Sequence, residues 1–292
     1  MRALIVADSG NNLTPNNVSN NIRTLYQALT NRGVSVTLFS ADNLIYYEHG
    51  LEIPEITYIA HPLQPQHLSL VQNIRDRDSL VINSPESVVF CSNKLNVANR
   101  LIESGIPHPR TILLTSDMDY STLDIGWPCV VKPSNRWSGH GVALCETPED
   151  IATQITKINR LIRYDDNARI IAQEYILSGE GHLVIGSYVV GDKVSSLATI
   201  GDPTSSDKFM SSLRAGNHRI PINTPPELLT LIRNIKTSLN IEVFRLETFL
   251  TNQGYMVCEI NVPGGRLGHD AVIGFDLSNV LADYLIRRFE EQ

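Results

Sequence analysis

Two acidic side chains and one amide stand at a spacing that suits a metal. In Glu259-Ile260-Asn261, strand alternation puts Glu259 and Asn261 on one face. Glu247 lies on the preceding apolar run, EVFRLETFL, and a hairpin over TNQG brings that run beside YMVCEINV. Two carboxylates and an amide oxygen make a hard, oxygen-rich set suited to Mg²⁺, an ion that often shares its coordination shell with nucleotide phosphates. The plainer alternative is a cross-strand polar patch. A second feature is the stretch PCVVKPSNRWSGHGVALCE, in which the apolar run Cys129-Val130-Val131 ends in Lys132 and a loop bearing Gly139 and Gly141 follows. Taken alone, Lys132 is more often a solvated surface charge, and many hairpins carry glycine.

The elements that must position these residues alternate. ALIVA at 3–7 reads as a buried strand, Val18 to Arg32 as a helix with Ile22, Leu25 and Leu29 on one face, and VSVTLFS as a second strand. This strand–helix–strand order predicts a small unit with a parallel sheet. Residues 42–76 are less regular, SLVIN at 79–83 is a strand broken by Ser84-Pro85, and Asn93 to Ser104 is a helix ended by Gly105. CVVKP and GVALCE flank the glycine loop as strands; Pro148 to Arg163 is a helix with a Thr147 cap. ARIIAQEYI is a strand, HLVIGSYVVGDKVSSLATI a hairpin turning at Gly191-Asp192, PPELLTLIRNIKTSL a helix, and FDLSNVLADYLIRRFEEQ a closing amphipathic helix. The expected class is therefore mixed α/β (α+β).

The bulk composition narrows the partners. The chain has 292 residues, 42% hydrophobic, enough for a substantial core, and a formal net charge of -7 argues against a broad nucleic-acid surface. No apolar run approaches the ~20 residues of a membrane span. The start MRALIVADSG lacks a basic segment followed by a long apolar one, so a cytoplasmic location is expected. Cys91, Cys129, Cys145 and Cys258 are scattered without zinc spacing, as suits reduced thiols.

The order of the motifs resembles the ATP-grasp superfamily, with its closest likeness to the branch of ribosomal-protein S6 glutamate ligase, the lysine-biosynthesis ligases and glutathione synthetase. NSPESVVFCSNKLNVANRLIESGIPHPRTIL is similar to the entry segment of that branch, and PCVVKP, IAQEYI, SSLRAG and CEINVPGG match later motifs in order. The resemblance runs over most of the chain. It implies an ATP-grasp fold with an N-terminal Rossmann-like domain over residues 1–88, a linker helix and flap-bearing subdomain over 89–172, and a metal-bearing subdomain over 173–292. It places Lys132 and Lys94 against nucleotide phosphates, with loop 134–141, including Ser138, Gly139 and Gly141, as a flap over them. It makes Gln173, Glu174, Tyr175 and Ile176 the hinge that meets adenine and Glu180 a candidate for the ribose hydroxyls. Glu247, Glu259 and Asn261 become ligands of Mg²⁺, with Mn²⁺ as an alternative.

The implied reaction is phosphoryl transfer to a carboxylate, giving an acylphosphate that an amine displaces. Positioning and charge neutralisation carry such chemistry without a protein nucleophile. Arg214 and Lys132 would then be catalytic, and Arg214, Gly264, Gly265 and Arg266 would hold the carboxylate substrate. Ser212 stands where the family has asparagine, and Glu247 where many relatives have aspartate. Three readings follow: a ligase acting on an amino acid or peptide, a ligase that closes an amide or ester within a ribosomal peptide, and a nucleotide-binding regulator without chemistry. Neither a nucleic-acid nor a membrane partner is expected, and a homo-oligomer stays open.

Overall fold

The computed structural model describes residues 1–7, 13–40, 53–60, 65–136, 139–163, 165, 167–177, 184–200, 218–262 and 276–292. Three sheets organise them. The first is parallel, with order β2-β1-β3-β4, and consists of β1 (Arg2–Ala7), β2 (Ser35–Ser40), β3 (Ile56–Ile59) and β4 (Leu80–Ile82). Helix α1 (Asn20–Thr30) joins β1 to β2 and buries Ile22, Leu25, Ala28 and Leu29. β3 and α2 (Pro65–Asp76) fall in the stretch whose sequence pattern is irregular. All four residues of β3 are buried, so they carry no alternation to read. Ser84-Pro85 ends β4 and also starts α3 (Pro85–Cys91): the Ser84 hydroxyl accepts from the Ser87 N–H, and proline occupies the first turn.

The second sheet, antiparallel with order β5-β8-β6-β7, is built from β5 (Thr111–Leu114), β6 (Cys129–Pro133), β7 (Ala143–Cys145) and β8 (Ile170–Glu174). Helix α4 (Lys94–Glu103) leads into it, capped by the Asn93 side chain on the Leu95 N–H. Helix α5 (Pro148–Leu161) covers one face, and its start is fixed by a reciprocal capping box between Thr147 and Asp150. Ile151, Ile155 and Ile158 of α5 pack on Cys129, Val131, Ile170 and Ala172 in a core that, among the described residues, contains nothing from the other two sheets. Burying each isoleucine is worth about 1.5–3 kcal/mol.

The third sheet is antiparallel, order β11-β10-β9-β12-β13, from β9 (Val184–Val190), β10 (Lys193–Ile200), β11 (His218–Ile222), β12 (Val243–Thr251) and β13 (Gly254–Asn261). Two cores join it to the first sheet. Leu4, Val6 and Ile59 meet Ile185, Phe244, Leu246 and residues of α6 (Pro226–Leu239). Ile5, Ile56 and Tyr58 meet Tyr188, Val243 and the apolar face of α7 (Leu277–Glu290). Asn83, 1% exposed, seals the junction. Its amide donates to the Val243 carbonyl (2.6 Å), and its oxygen accepts from the N–H groups of Glu242 (2.7 Å) and Val243 (2.9 Å).

Candidate active site

Alternation in β6 buries Cys129, Val131 and Pro133 towards α5, which leaves Val130 and Lys132 on the opposite face. There Lys132 Nζ donates to Gln173 Oε1 at 2.7 Å, and Gln173 Nε2 donates to Thr111 Oγ1 at 3.0 Å. Three neighbouring strands thus hold one ammonium. Burial, and Lys94 beside it, pull the Lys132 pKa below its ordinary value.

Lys94 opens α4 and ties three elements together. Its N–H donates to the Ser134 carbonyl (2.7 Å) and its ammonium to the Arg136 carbonyl (2.6 Å), both at the root of the glycine loop. The same ammonium stands 3.1 Å from Glu259 Oε1 on β13. Arg136 is fixed in turn by Asp165 at 2.7 Å. Gly139 and Gly141 hold φ of +73° and +76°, so both occupy the left-handed region that favours glycine. A Cβ on Gly141 would approach Pro133 and Leu161 at 3.0–3.1 Å.

Glu247 and Glu259 are direct cross-strand partners, as are Arg245 and Asn261. The pairing slips by one residue between Glu247 and Thr248, so Cys258 is an extra residue in β13. That bulge brings both Cys258 and Glu259 to line one crevice together with Lys94, Lys132, Gln173 and His108. Simple alternation sends Cys258 to the other face, which is why the sequence pattern does not show it.

The two carboxylates differ electrically. Burial pushes the Glu247 pKa above its ordinary value, and neighbouring Glu259 adds to the rise against the pull of Arg245, whose Nη2 lies 2.5 Å away. Burial also acts on Glu259, but Lys94 and Lys132 outweigh it and hold that pKa down. Glu259 is the ready anion, and Glu247 gives up its proton less easily. Among the described residues no group of three His, Cys, Asp or Glu side chains gathers as a metal cage. Two carboxylates with the Asn261 amide instead offer hard oxygens that leave room for phosphate oxygens, which fits Mg²⁺.

Glu174 is exposed on its side chain and bonds to Arg110: its carboxylate accepts from the Arg110 N–H at 3.2 Å. Tyr175 and Ile176 follow it, half-buried. Ser138, Glu180, Ser212, Arg214, Gly264, Gly265 and Arg266 lie outside the described residues. Arg245, Arg219, His108 and the Arg136–Asp165 pair had no distinguishing pattern in the sequence, because an isolated arginine on a strand reads as surface charge.

Residues 91–285 match the RimK-like ATP-grasp domain family. The chain is 30% identical over 208 residues to the probable alpha-L-glutamate ligase of Stutzerimonas stutzeri (strain A1501), an alignment that takes in 70% of this chain and 66% of that protein, just under two thirds of its length. It is similar in structure to the RimK domain ATP-grasp protein of Sphaerobacter thermophilus DSM 20745, at a TM-score of 0.67 and 18% identity, over 98% of this chain and 100% of that one. It is also similar to the ATP-grasp ligase PsnB complexed with a phosphomimetic variant of a minimal precursor, Mg and ADP, at a TM-score of 0.71 and 15% identity, over 99% and 98% of the two chains. At these identities the structural likeness establishes a shared fold. No helix among the described residues is long and apolar enough to cross a membrane.

Proposed function

The chain belongs to the RimK-like ATP-grasp family, and from that premise we propose that it is an ATP- and Mg²⁺-dependent carboxylate–amine ligase acting on an amino acid or peptide. One observation carries the reading: Lys94, Lys132 and Glu259 converge in a crevice between two antiparallel sheets that have separate cores. Two ammonium groups beside carboxylates suit a polyphosphate whose charge is shared with a metal. Glu247, Glu259 and Asn261 would hold Mg²⁺, which neutralises phosphate charge when bound.

The protein's own groups supply position and charge. Lys132, fixed by Gln173, presents its ammonium to phosphate oxygens. Lys94 exchanges its contact with Glu259 for the same oxygens, freeing that carboxylate for the metal. The substrate carboxylate attacks the terminal phosphorus, ADP departs, and an amine then displaces phosphate from the acyl carbon with loss of one proton. The glycine loop, whose root is held by Lys94 and Arg136, would act as the flap over the phosphates and so keep water from the activated carboxyl. Ser138, Glu180, Arg214, Gly264, Gly265 and Arg266 keep their sequence-based roles within this proposal.

The test is substrate-dependent ADP formation across a panel of amino acids and peptides, with mass spectrometry of the products. Amide formation between two substrates supports the ligase reading. A single peptide that loses the mass of water points to ring closure instead. ATP binding without ADP formation for any carboxylate leaves a nucleotide-binding regulator.

A further inference from the structure

We propose that the third sheet carries an anion subsite, built from Arg219 and Arg245 across Gly186, that holds a non-reacting carboxylate of the substrate. The inference rests on the ligase reading above and narrows it to a substrate with an anionic group besides the carboxyl or amine that reacts.

Sheet register puts both arginines on the face of the metal carboxylates. Arg245 pairs with Asn261 on one side and Tyr188 on the other, while Glu247 pairs with Glu259 and Gly186. Gly186 pairs with Leu197, and Leu197 with Pro221, two residues along β11 from Arg219. A Cβ on Gly186 would lie 3.5 Å from Arg245 Nη2 and 3.8 Å from its Nε, ordinary contact distances, so the guanidinium lies directly over this glycine. Tyr188 supports it from the side, its ring centre 5.5 Å from the guanidinium carbon.

The donors of this pair are incompletely used. Glu247 takes one Nη of Arg245. Among the described residues, Arg245 Nε and Arg219 Nε and Nη1 are buried and have no acceptor. Glu247 acts on both guanidiniums and Glu259 on Arg245 as well, yet neither carboxylate meets these three N–H groups. Burial and the like charge of Arg245 both depress the pKa of Arg219, so the two cations sit close enough to repel. Buried N–H donors without acceptors are costly, and an oxyanion on the pair would remove both the repulsion and the vacant donors.

Placement selects the substrate over the nucleotide. The lysines reach the carboxylates from α4 and β6, beside β13. Arg219 stands on β11, three strands from Glu247 in the order β11-β10-β9-β12-β13 and on the side away from β13, while Arg245 shares β12 with Glu247 and is linked to Arg219's side of the sheet only through its neighbour Tyr188 on β9. With phosphates on the lysine side, the arginine side is left for the molecule that accepts the phosphoryl group.

Glutarate and glutaramate, alike except for one charge, test this by calorimetric titration into the full chain with MgADP. Glutarate is expected to bind at least tenfold more tightly. Arg219→Gln should abolish that preference with ADP affinity and melting temperature unchanged, and Arg219→Lys should retain part of it. Equal affinity for the two acids in the wild type overturns the proposal, as does a preference that survives in Arg219→Gln. Should Arg219→Gln weaken ADP binding and spare the acid preference, the pair is a phosphate site and the proposal is again wrong. If Arg219→Gln fails to fold, the wild-type comparison and Arg219→Lys decide. Full-rate ADP formation with acids that lack a second anion sinks this inference alone, whereas no ADP formation with any carboxylate sinks the ligase reading.

Discussion

Lys132 and Gln173 form a donor and its holder, and their substitutions should separate those roles. Lys132→Ala removes a charge-assisted contact worth about 1.5–3 kcal/mol, so ATP affinity should fall roughly 10- to 100-fold without unfolding. Gln173→Ala leaves the ammonium but frees it to wander, so a loss of about 0.5–1.5 kcal/mol is expected. Calorimetry with a non-hydrolysable nucleotide checks both, and an unchanged affinity in folded Lys132→Ala would show that the lysine does not meet phosphate. The carboxylates predict a pH dependence. Because burial raises the Glu247 pKa above 4.5, the group takes up a proton sooner than an ordinary glutamate as pH falls. Mg²⁺ affinity should therefore decline with falling pH from a point above 4.5, and Glu247→Gln should flatten that profile while raising the Mg²⁺ needed for half-maximal rate. Glu259→Gln should lose most Mg²⁺-dependent turnover down to pH values below those that silence Glu247, since Lys94 and Lys132 hold its pKa under the ordinary 4.5. In the metal-free protein the sign reverses for stability: folded Glu247 binds its proton more tightly than the unfolded chain does, so its contribution is greatest at low pH and is lost as pH rises above 4.5. Lys132 stood out only through the family resemblance, whereas the shared face of Glu247, Glu259 and Asn261 was legible because spacing on strands carries facing. Cys258 was not, because a bulge breaks that spacing, and Arg219 and Arg245 gain meaning only from Gly186, two strands from one and one strand from the other.

At the level of elements, the glycine loop is fixed at its C-terminal root by backbone shape and by crowding, and the two can be separated. Gly126 and Gly141 share nearly the same left-handed φ, +78° and +76°. A Cβ at Gly126 meets open space, whereas one at Gly141 meets Pro133 and Leu161. Gly126→Ala should cost about 1–2 kcal/mol for conformation alone. Gly141→Ala should cost more, by about 1 kcal/mol or greater, because a packed neighbour must move. Urea unfolding followed at the second sheet compares them, and equal losses would mean that Pro133 and Leu161 yield freely. Gln154 adds to the anchoring by donating to the Gly141 carbonyl at 2.9 Å. Most elements were readable before the structure, the helix at Pro148 most fully, because its capping box and apolar stripe agree. β3 and α3 were hidden for opposite reasons. The first is buried on every residue and too short for a period, and the second begins at a proline that also reads as a strand breaker.

Across the whole molecule, two cores fuse the first and third sheets, while the second sheet keeps its own. Lys94 spans the seam, touching Arg136 on one side and Glu259 on the other. Amide hydrogen exchange should show the second sheet opening at lower free energy than β1 and β12, and bound MgATP should raise its protection most. Uniform protection across all three sheets, with and without nucleotide, would contradict this division. The fusion of the other two sheets also bears on what can be cut away. The stretch recognisable as a family domain, residues 91–285, stops within α7 and omits the entire parallel sheet. Expressed alone, such a fragment would present Phe244 and Leu246 on one flank and Tyr188 and Val243 on the other without their native cover, and would strand the Asn83 partners at Glu242 and Val243. It should come out as aggregate rather than as a smaller working enzyme: the unit that is recognisable by descent is not the unit that can fold.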